Sequence, residues 1–87
     1  MAARRVGTVT HYFDRIGVAV IELSKPLKVG DWVQFMGRTT EFEQRVTSLQ
    51  VNHQNIDGGK AGDEVALKVI EQVRPKDGVF LASKEEA

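Results

Sequence analysis

The sequence has no cysteine and only two prolines among its 87 residues. Without thiols it can form neither a disulfide framework nor a thiolate zinc site, so an apolar core must stabilise it. This composition is compatible with a reducing cytosol. Nowhere do about 18 apolar residues follow one another as a membrane-spanning helix requires, and no apolar signal-peptide stretch follows the first arginines. We therefore expect a soluble, cytoplasmic protein that contacts no membrane.

The sequence also has no excess of charge of either sign, since 12 Lys and Arg are balanced by 12 Asp and Glu. A formal net charge of zero provides no overall field that would attract nucleic acid, so a polyanion site has to be a local patch. The length allows one small domain with one core. We expect residues 1–87 to form this single domain, with short flexible ends near 1–3 and 83–87.

Short β-branched runs separated by turn residues predict strands and not helices. Arg4 to Phe13 and Ile16 to Leu23 are expected to be two strands that meet in a hairpin at Asp14-Arg15. The stretch from Glu41 to Gln54 is long for one strand. A β-bulge near Thr47-Ser48 would restore its alternation of apolar and polar residues.

Further strands are expected at WVQFMG, EVALKVI and VFLA, and the loop NIDGGKAGD contains one helical turn around Ile56. About six short strands at even intervals predict an all-β fold, a small closed six-stranded antiparallel β-barrel, because closure hides the sheet edges. Trp32, Phe35 and Phe42 are expected to share one buried face. The residues expected to point inward are Val6 or Val9, Val18, Val20, Val33, Phe35, Val46, Leu49, Val51, Val65, Leu67 and Val69.

Gly-Asp pairs precede two of the expected strands, at Gly30-Asp31 and Gly62-Asp63, and the inverted pair Asp77-Gly78 precedes a third. We interpret them as structural corners. Together with the intervening VTSLQVNH, they make residues 5 to 82 resemble the second domain of the translational GTPases, the β-barrel shared by elongation factor Tu, elongation factor G and initiation factor 2. In that family the domain holds the acceptor end of aminoacyl-tRNA or contacts ribosomal RNA. The resemblance therefore implies a translation elongation factor-like binding domain associated with RNA or the ribosome in protein biosynthesis.

The sequence departs from those GTPases in having no phosphate-binding motif of the type G-x-x-x-x-G-K-[ST]. That motif supplies the lysine and the magnesium-binding hydroxyl of nucleotide hydrolysis. We therefore expect the protein neither to bind nor to hydrolyse GTP.

The first hairpin and its exit combine basic side chains with aromatic rings that can stack on bases. The candidate RNA-binding residues are Arg4, Arg5, His11, Tyr12, Arg15, Lys25 and Lys28. Tyr12 and Phe13 can also plug one end of a barrel, which we favour. A weaker candidate is a phosphate nest of backbone amides at Gly58, Gly59 and Lys60.

No arrangement typical of catalysis is found. His11 and His53 are the only histidines, and two imidazoles without further ligands make a poor metal site. The serines lack the G-x-S-x-G context and a recognisable triad. Asp57 and Asp63 flank the glycine loop without the acidic spacing of an EF-hand, so that turn stabilisation is favoured.

We therefore predict a binding domain and not an enzyme, with no cofactor and no metal. Its expected partner is tRNA or ribosomal RNA. The alternative, which the neutral charge favours, is a protein-interaction or accessory module that docks on another enzyme or factor. The oligomeric state is left open.

Overall fold

The structure, a computed structural model, describes residues 4–82, which form ten β-strands and no helix. Since no helix is present there, none is long and apolar enough to cross a membrane. The predicted flexible ends, 1–3 and 83–87, lie outside the described residues. The strands are β1 (Arg4–Phe13), β2 (Val18–Leu23), β3 (Leu27–Lys28), β4 (Trp32–Met36), β5 (Glu41–Arg45), β6 (Leu49–Val51), β7 (Gln54–Ile56), β8 (Gly58–Gly59), β9 (Glu64–Lys68) and β10 (Gly78–Ala82).

The all-β prediction is confirmed, but the closed six-stranded barrel is wrong. Eight strands form one open antiparallel sheet in the order β5-β4-β10-β1-β2-β9-β6-β7, and β3 pairs with β8 in a separate two-stranded sheet. The backbone ladder therefore ends at β5 on one side and at β7 on the other. A side chain, that of Gln44 on β5, reaches from the first edge to the chain after β9. It replaces the backbone hydrogen bonds that closure would need.

The predicted first hairpin is present, with a longer turn than expected. Asp14 to Gly17 connect β1 to β2, and the carbonyl oxygen of Phe13 accepts from the amides of Ile16 (3.3 Å) and Gly17 (2.9 Å). Gly17 has a φ of 67°. Only glycine adopts this left-handed conformation readily, so the glycine that is missing from Asp14-Arg15 stands at the end of the turn.

Three turns of the same construction directly precede β4, β9 and β10. They comprise Lys28–Asp31, Lys60–Asp63 and Arg74–Asp77. In each of them the aspartate amide donates to the first residue's carbonyl oxygen, over 3.1, 3.0 and 3.1 Å respectively. A carboxylate oxygen of the same aspartate accepts from the first residue's amide, over 3.0, 3.0 and 2.8 Å. We call these turns the Asp corners. They confirm that the aspartates have a structural role.

The third Asp corner explains the inverted order of Asp77-Gly78. The third residue of the corners, which has a positive φ, is Gly30 (103°), Gly62 (93°) and Lys76 (80°). A positive φ at this position is typical of a type II turn, for which Pro75 at the second position is also favourable. Asp77 is therefore equivalent to Asp31 and Asp63, and a lysine occupies the position of the glycine.

The long stretch from Glu41 to Gln54 is not one bulged strand. β5 ends at Arg45, and the next residue, Val46, is buried. The Val46 amide donates to the carbonyl oxygen of Asp31, and the Val46 carbonyl oxygen accepts from the amide of Gly30, over 2.8 Å in each case. The chain then continues into β6, which pairs with β7 and β9 instead of β4. Thr47 and Ser48 are the crossing between two parts of the sheet and not a bulge.

The segment around Ile56 also differs from the predicted helical turn. Ile56 is the last residue of β7, which pairs with β6 across a tight turn at Asn52 and His53. Both turn residues have positive φ, 53° and 64°. Two successive residues of this kind are typical of a type I′ hairpin, whose twist matches that of the strands.

The core confirms most of the residues that were expected to point inward, but β2 has the opposite orientation. Val18 and Val20 are half-buried on the outer face, whereas Ala19, Ile21 and Leu23 are buried. Val51 on β6 is likewise half-buried and packs at the margin of the core. The fully confirmed inward residues are Val6, Val9, Val33, Phe35, Val46, Leu49, Val65, Leu67 and Val69.

The aromatic residues of β4 and β5 do not share one face. Phe35 and Phe42 are buried and stacked, with their ring centroids 4.9 Å apart and an interplanar angle of 11°. Trp32 stands an odd number of residues from Phe35 and therefore projects from the other face of β4, where it is half-buried. The guanidinium carbon of Arg45, its cross-strand neighbour, lies 5.9 Å from the centroid of the indole ring.

Candidate functional site

The candidate residues of the first hairpin fall into two groups at opposite ends of β1. Gly7 pairs with Leu23 at one end and Phe13 pairs with Val18 at the other. Six residues of extended chain separate these pairs by about 20 Å. Arg4, Arg5, Lys25 and Lys28 lie toward the first pair, and His11, Tyr12 and Arg15 lie within two residues of Phe13 at the second.

In the first group, Arg5 is already engaged within the domain. Its Nη2 donates to Thr8 Oγ1 over 2.9 Å, and its guanidinium carbon lies 5.8 Å from the centroid of the Phe80 ring. Lys25 is held close to β1, because its amide donates to the carbonyl oxygen of Val6 over 3.3 Å. Arg4, Lys25 and Lys28 are exposed.

In the second group, Tyr12 packs against the core and is half-buried, whereas Phe13 is 50% exposed, so that only one of the two rings expected to plug a barrel end packs inward. His11 and Arg15 are exposed, and the ring of His11 lies 6.3 Å from that of Phe13, which is half-exposed. No single surface therefore contains all seven residues. The choice of these seven residues as one binding site is not tested by the structure.

The glycine loop does not have the shape of a phosphate nest. Gly58 and Gly59 form β8, where they pair with Lys28 and Leu27 of β3. A nest requires successive residues of alternating handedness, whereas these two glycines are extended. The Lys60 amide donates to the Asp63 carboxylate, which would repel an anion. Anion binding at Gly58, Gly59 and Lys60 stays a prediction, with a geometry different from the one expected.

Within residues 4–82, no group of three or more His, Asp or Glu side chains is placed to hold a metal ion. His53 stands in the β6–β7 turn and is exposed. Among the described residues, neither His11 nor His53 therefore belongs to such a group.

Sequence reasoning missed a surface on the outer face of β2 and β9. Val18 pairs with Lys68, Val20 with Ala66 and Glu22 with Glu64. Because side chains alternate along a strand, these three pairs project from the same face, opposite to the core. We call these three pairs the outer ladder.

Ile16 and Ile70 flank one end of the outer ladder. The amide of Val69 donates to the carbonyl oxygen of Gly17 over 2.9 Å, which continues the pairing by one step beyond the ends of both strands. Ile16 and Ile70 are the next residues along the two chain segments beyond this hydrogen bond, at the same end of the ladder. They are 62% and 69% exposed, more than any other large apolar residue in the described part of the chain.

Two surface depressions border the outer ladder. One, of about 330 Å³, lies over β2, β9 and the start of β6. Its lining residues are Ile16, Val18, Ser48, Gln50, Ala66 and Lys68. The other, of about 510 Å³, lies above the gap that the Gln44 side chain bridges. Its lining residues are Trp32, Glu43, Gln44, Arg45, Thr47, Lys68, Val69 and Ile70.

One signal in the sequence identifies the outer ladder. The run Val18 to Ile21 is apolar at every position, so alternation alone cannot show which residues face the core. Glu22 resolves it, because a carboxylate on the same strand belongs on the solvent side, and Val18 and Val20 have its parity. An apolar residue on the solvent side then marks an unusual surface.

Comparison with known proteins relates the chain to proteases. It is 38% identical over 77 residues to an uncharacterized protease of Methanocaldococcus jannaschii, and 34% identical over 83 residues to a collagenase of Porphyromonas gingivalis. These matches cover 87% and 93% of this chain, but only 19% and 23% of the two relatives. The chain thus spans about a fifth of the length of the curated relatives that it matches. No family model matches it.

Solved structures with the same fold are also known. Two crystal structures of the C-terminal domain of a Geobacillus thermoleovorans protein assigned to the U32 peptidases superpose with TM-scores of 0.85 and 0.86, each at 21% sequence identity. The superpositions cover 88% and 91% of this chain, and 98% and 92% of the solved chains. At this identity the likeness establishes the fold.

These findings overturn the resemblance to translational GTPases, and the predicted translation, RNA-binding and ribosome-associated role is wrong with it. The relatives are named as a protease and a collagenase, and the solved neighbours as peptidase C-terminal domains. The physical reason lies in the Asp corners, which carried the resemblance. They are a turn chemistry that suits the entrance of many β-strands, so their recurrence indicates antiparallel β-structure and not a particular family.

Proposed function

We propose that this chain is an accessory domain that docks on the catalytic portion of a U32-type peptidase and contributes no catalytic group itself. The observation that carries the proposal is the 38% identity to a named protease, spread over most of this chain but over only 19% of that protein. The peptidase chemistry of the relatives is then assigned to the four fifths that this chain does not match.

Two features of the domain support this proposal. The solved neighbours are described as C-terminal domains, and one of them is covered to 98% by this chain, so the same unit exists as a separable domain of a longer protein. The part of the chain that the structure describes holds no cluster of His, Asp and Glu side chains for a metal ion, but has exposed apolar side chains at Ile16 and Ile70. Exposed apolar surface is typical of a site where another protein binds.

The proposal can be tested with the P. gingivalis collagenase from which the 83 matched residues are deleted. We expect the deleted enzyme to lose most of its cleavage of fluorescent gelatin, and a fusion that carries residues 4–82 of this chain in their place to regain it. Our chain alone should cleave no gelatin. The matched control is the same fusion with Phe35→Ala, which removes a fully buried ring and should unfold the domain.

Two results would contradict the proposal. Cleavage of gelatin by the chain alone would place an active site within it. An unchanged rate for the deleted collagenase would show that the matched segment does not serve the peptidase.

A further inference from the structure

The outer ladder changes its chemistry along its length. The exposed side chains of Ile16 and Ile70 flank one end, and at the other end Glu22 stands opposite Glu64. Between them lie Val18, Val20 and Ala66, which are half-buried, and the exposed Lys68. The surface therefore runs from the two apolar side chains of Ile16 and Ile70 to an acidic end over three cross-strand pairs.

The composition of β2 indicates that this face is covered in the functional assembly. A strand that faces water on one side normally alternates apolar and polar residues, and a strand covered on both sides is apolar throughout. Residues Val18 to Ile21 follow the second pattern. Within this chain, however, only Ala19 and Ile21 are fully buried, because Val18 and Val20 on the other face are covered in part. A second layer of protein over the outer ladder would complete the pattern.

The acidic end specifies what that second layer should carry. Like charges directly opposite each other on neighbouring strands destabilise a sheet. Glu22 and Glu64 are such a pair, and the hydroxyl of Thr10 lies 3.3 Å from Glu64 Oε2 as a neutral donor. A lysine or arginine of a partner placed between the two carboxylates would remove the repulsion on docking.

We propose that the outer ladder is the surface that receives the catalytic portion of the peptidase, through an apolar patch bordered by a lysine or arginine that binds Glu22 and Glu64. This inference rests on the proposed accessory function and names the surface and the partner's chemistry. The apolar end provides buried area, and the acidic end fixes the orientation of the two parts.

A second copy of this chain satisfies the outer ladder less well. In a twofold arrangement centred on Val20 and Ala66, Lys68 of each copy meets the glutamate pair of the other. That arrangement leaves Ile16 and Ile70 beyond the contact, uncovered. A twofold arrangement in which Ile16 and Ile70 pack against the same two residues of the second copy leaves Glu22 and Glu64 without a cation. A partner with a different sequence can satisfy both ends.

The test measures binding of this chain, immobilised on a biosensor, to the collagenase from which the 83 matched residues are deleted. The wild-type chain should bind. Ile16→Asp together with Ile70→Asp should weaken binding by about tenfold or more, since each change places a charge in an apolar contact. The matched control is Val29→Asp together with Met36→Asp, two exposed apolar residues outside the ladder, which should bind as the wild type does.

The acidic end has its own variant. Glu22→Gln together with Glu64→Gln should raise the melting temperature of the free chain, because the repulsion is gone, and yet weaken binding by about fivefold or more. A structural role alone would not move stability and affinity in opposite directions. Glu41→Gln together with Asp57→Asn, two exposed carboxylates away from the outer ladder, is the charge-matched control.

The outcomes separate this inference from the proposed function. If the wild-type chain does not bind the deleted collagenase, both the docking function and the role of the outer ladder are overturned. If the wild type and both ladder variants bind equally well, the chain docks through another surface and only the inference fails. A wild-type dimer in light scattering that Ile16→Asp and Ile70→Asp dissolve would assign the surface to a second copy and overturn the inference.

Discussion

The side-chain amide of Gln44 on β5 is hydrogen bonded to Lys68 at the end of β9, with 2.8 Å between Nε2 and the Lys68 carbonyl oxygen. Its Oε1 accepts from the amide of Ile70, also over 2.8 Å. One buried side chain thereby satisfies a backbone acceptor and a backbone donor of a segment that has no ladder to β5. Gln44 holds together the two parts of the sheet that a closed barrel would join by backbone pairing.

Replacement of Gln44 by leucine should therefore be costly. Gln44→Leu keeps the approximate volume but leaves the Lys68 carbonyl and the Ile70 amide without this partner, which should lower the free energy of unfolding by about 3 kcal/mol. Urea denaturation followed by circular dichroism measures it. Gln54→Leu on the exposed edge strand β7 is the matched control and should change stability by less than about 0.5 kcal/mol. Equal effects of the two variants would contradict the bridging role.

Gln44→Glu adds a pH dependence to the same contact. A neutral carboxylic acid can donate to the Lys68 carbonyl and accept from the Ile70 amide, whereas a carboxylate can only accept. The buried carboxyl should thus have a higher pKa in the folded than in the unfolded chain, where it is about 4.3. The free energy of unfolding of Gln44→Glu should therefore fall short of the wild-type value least below a pH of about 4, and the shortfall should grow as the pH rises. A deficit independent of pH would exclude this arrangement.

The existence and positions of the main strands could be predicted from the sequence because their β-branched runs and turn residues agree. The orientation of β2 was missed because its residues are apolar on both sides, and only Glu22 distinguishes them. Closure was also beyond sequence reasoning, since it depends on whether β5 meets the end of β9 by backbone or by a side chain. The outer ladder was missed because its position depends on the orientation of β2 and on the pairing of β2 with β9, and the hydrogen bond from Val69 to Gly17 brings the segments that carry Ile16 and Ile70 to the same end of it.

Lys76 offers a position at which stability should increase. It has a φ of 80° at the place where the other two Asp corners have glycine. Left-handed backbone costs a non-glycine residue about 1 kcal/mol, so Lys76→Gly should raise the free energy of unfolding by up to about that amount. Lys76→Ala is the control, since it removes the same side chain and retains the backbone penalty. A gain of equal size in both variants would attribute the effect to the lysine's charge.

The aspartates of the three corners should differ in importance according to burial. Asp77 is 6% exposed, whereas Asp31 and Asp63 are half-buried. Asp77→Ala should cost about 2 to 3 kcal/mol, because it leaves a partly buried amide, that of Arg74, without its 2.8 Å acceptor. Asp63→Ala should cost about 1 kcal/mol, since water can replace the carboxylate at the exposed amide of Lys60. Thermal unfolding of the two variants gives the comparison, and the reverse order would show that burial does not determine the effect.

Gly37 and Asp77 should be coupled across the end of β4. The position that a Cβ of residue 37 would take is occupied by the Asp77 carboxylate, so Gly37→Ala displaces a buried charged group from its corner. We expect a loss of about 2 kcal/mol in the wild-type background. In the Asp77→Ala background the obstruction is gone, and the same substitution should cost less than about 0.5 kcal/mol. The difference between the two losses, measured by a double-mutant cycle in urea, is the coupling energy of the pair.

Gly30→Ala is the control for this coupling. A Cβ at residue 30 would meet nothing within 4 Å, and the loss of stability comes from the φ of 103°. This loss should therefore be the same with or without the Asp77 side chain. Additive losses for Gly37→Ala and Asp77→Ala would mean that the carboxylate moves aside at no cost and that glycine is not needed beside it.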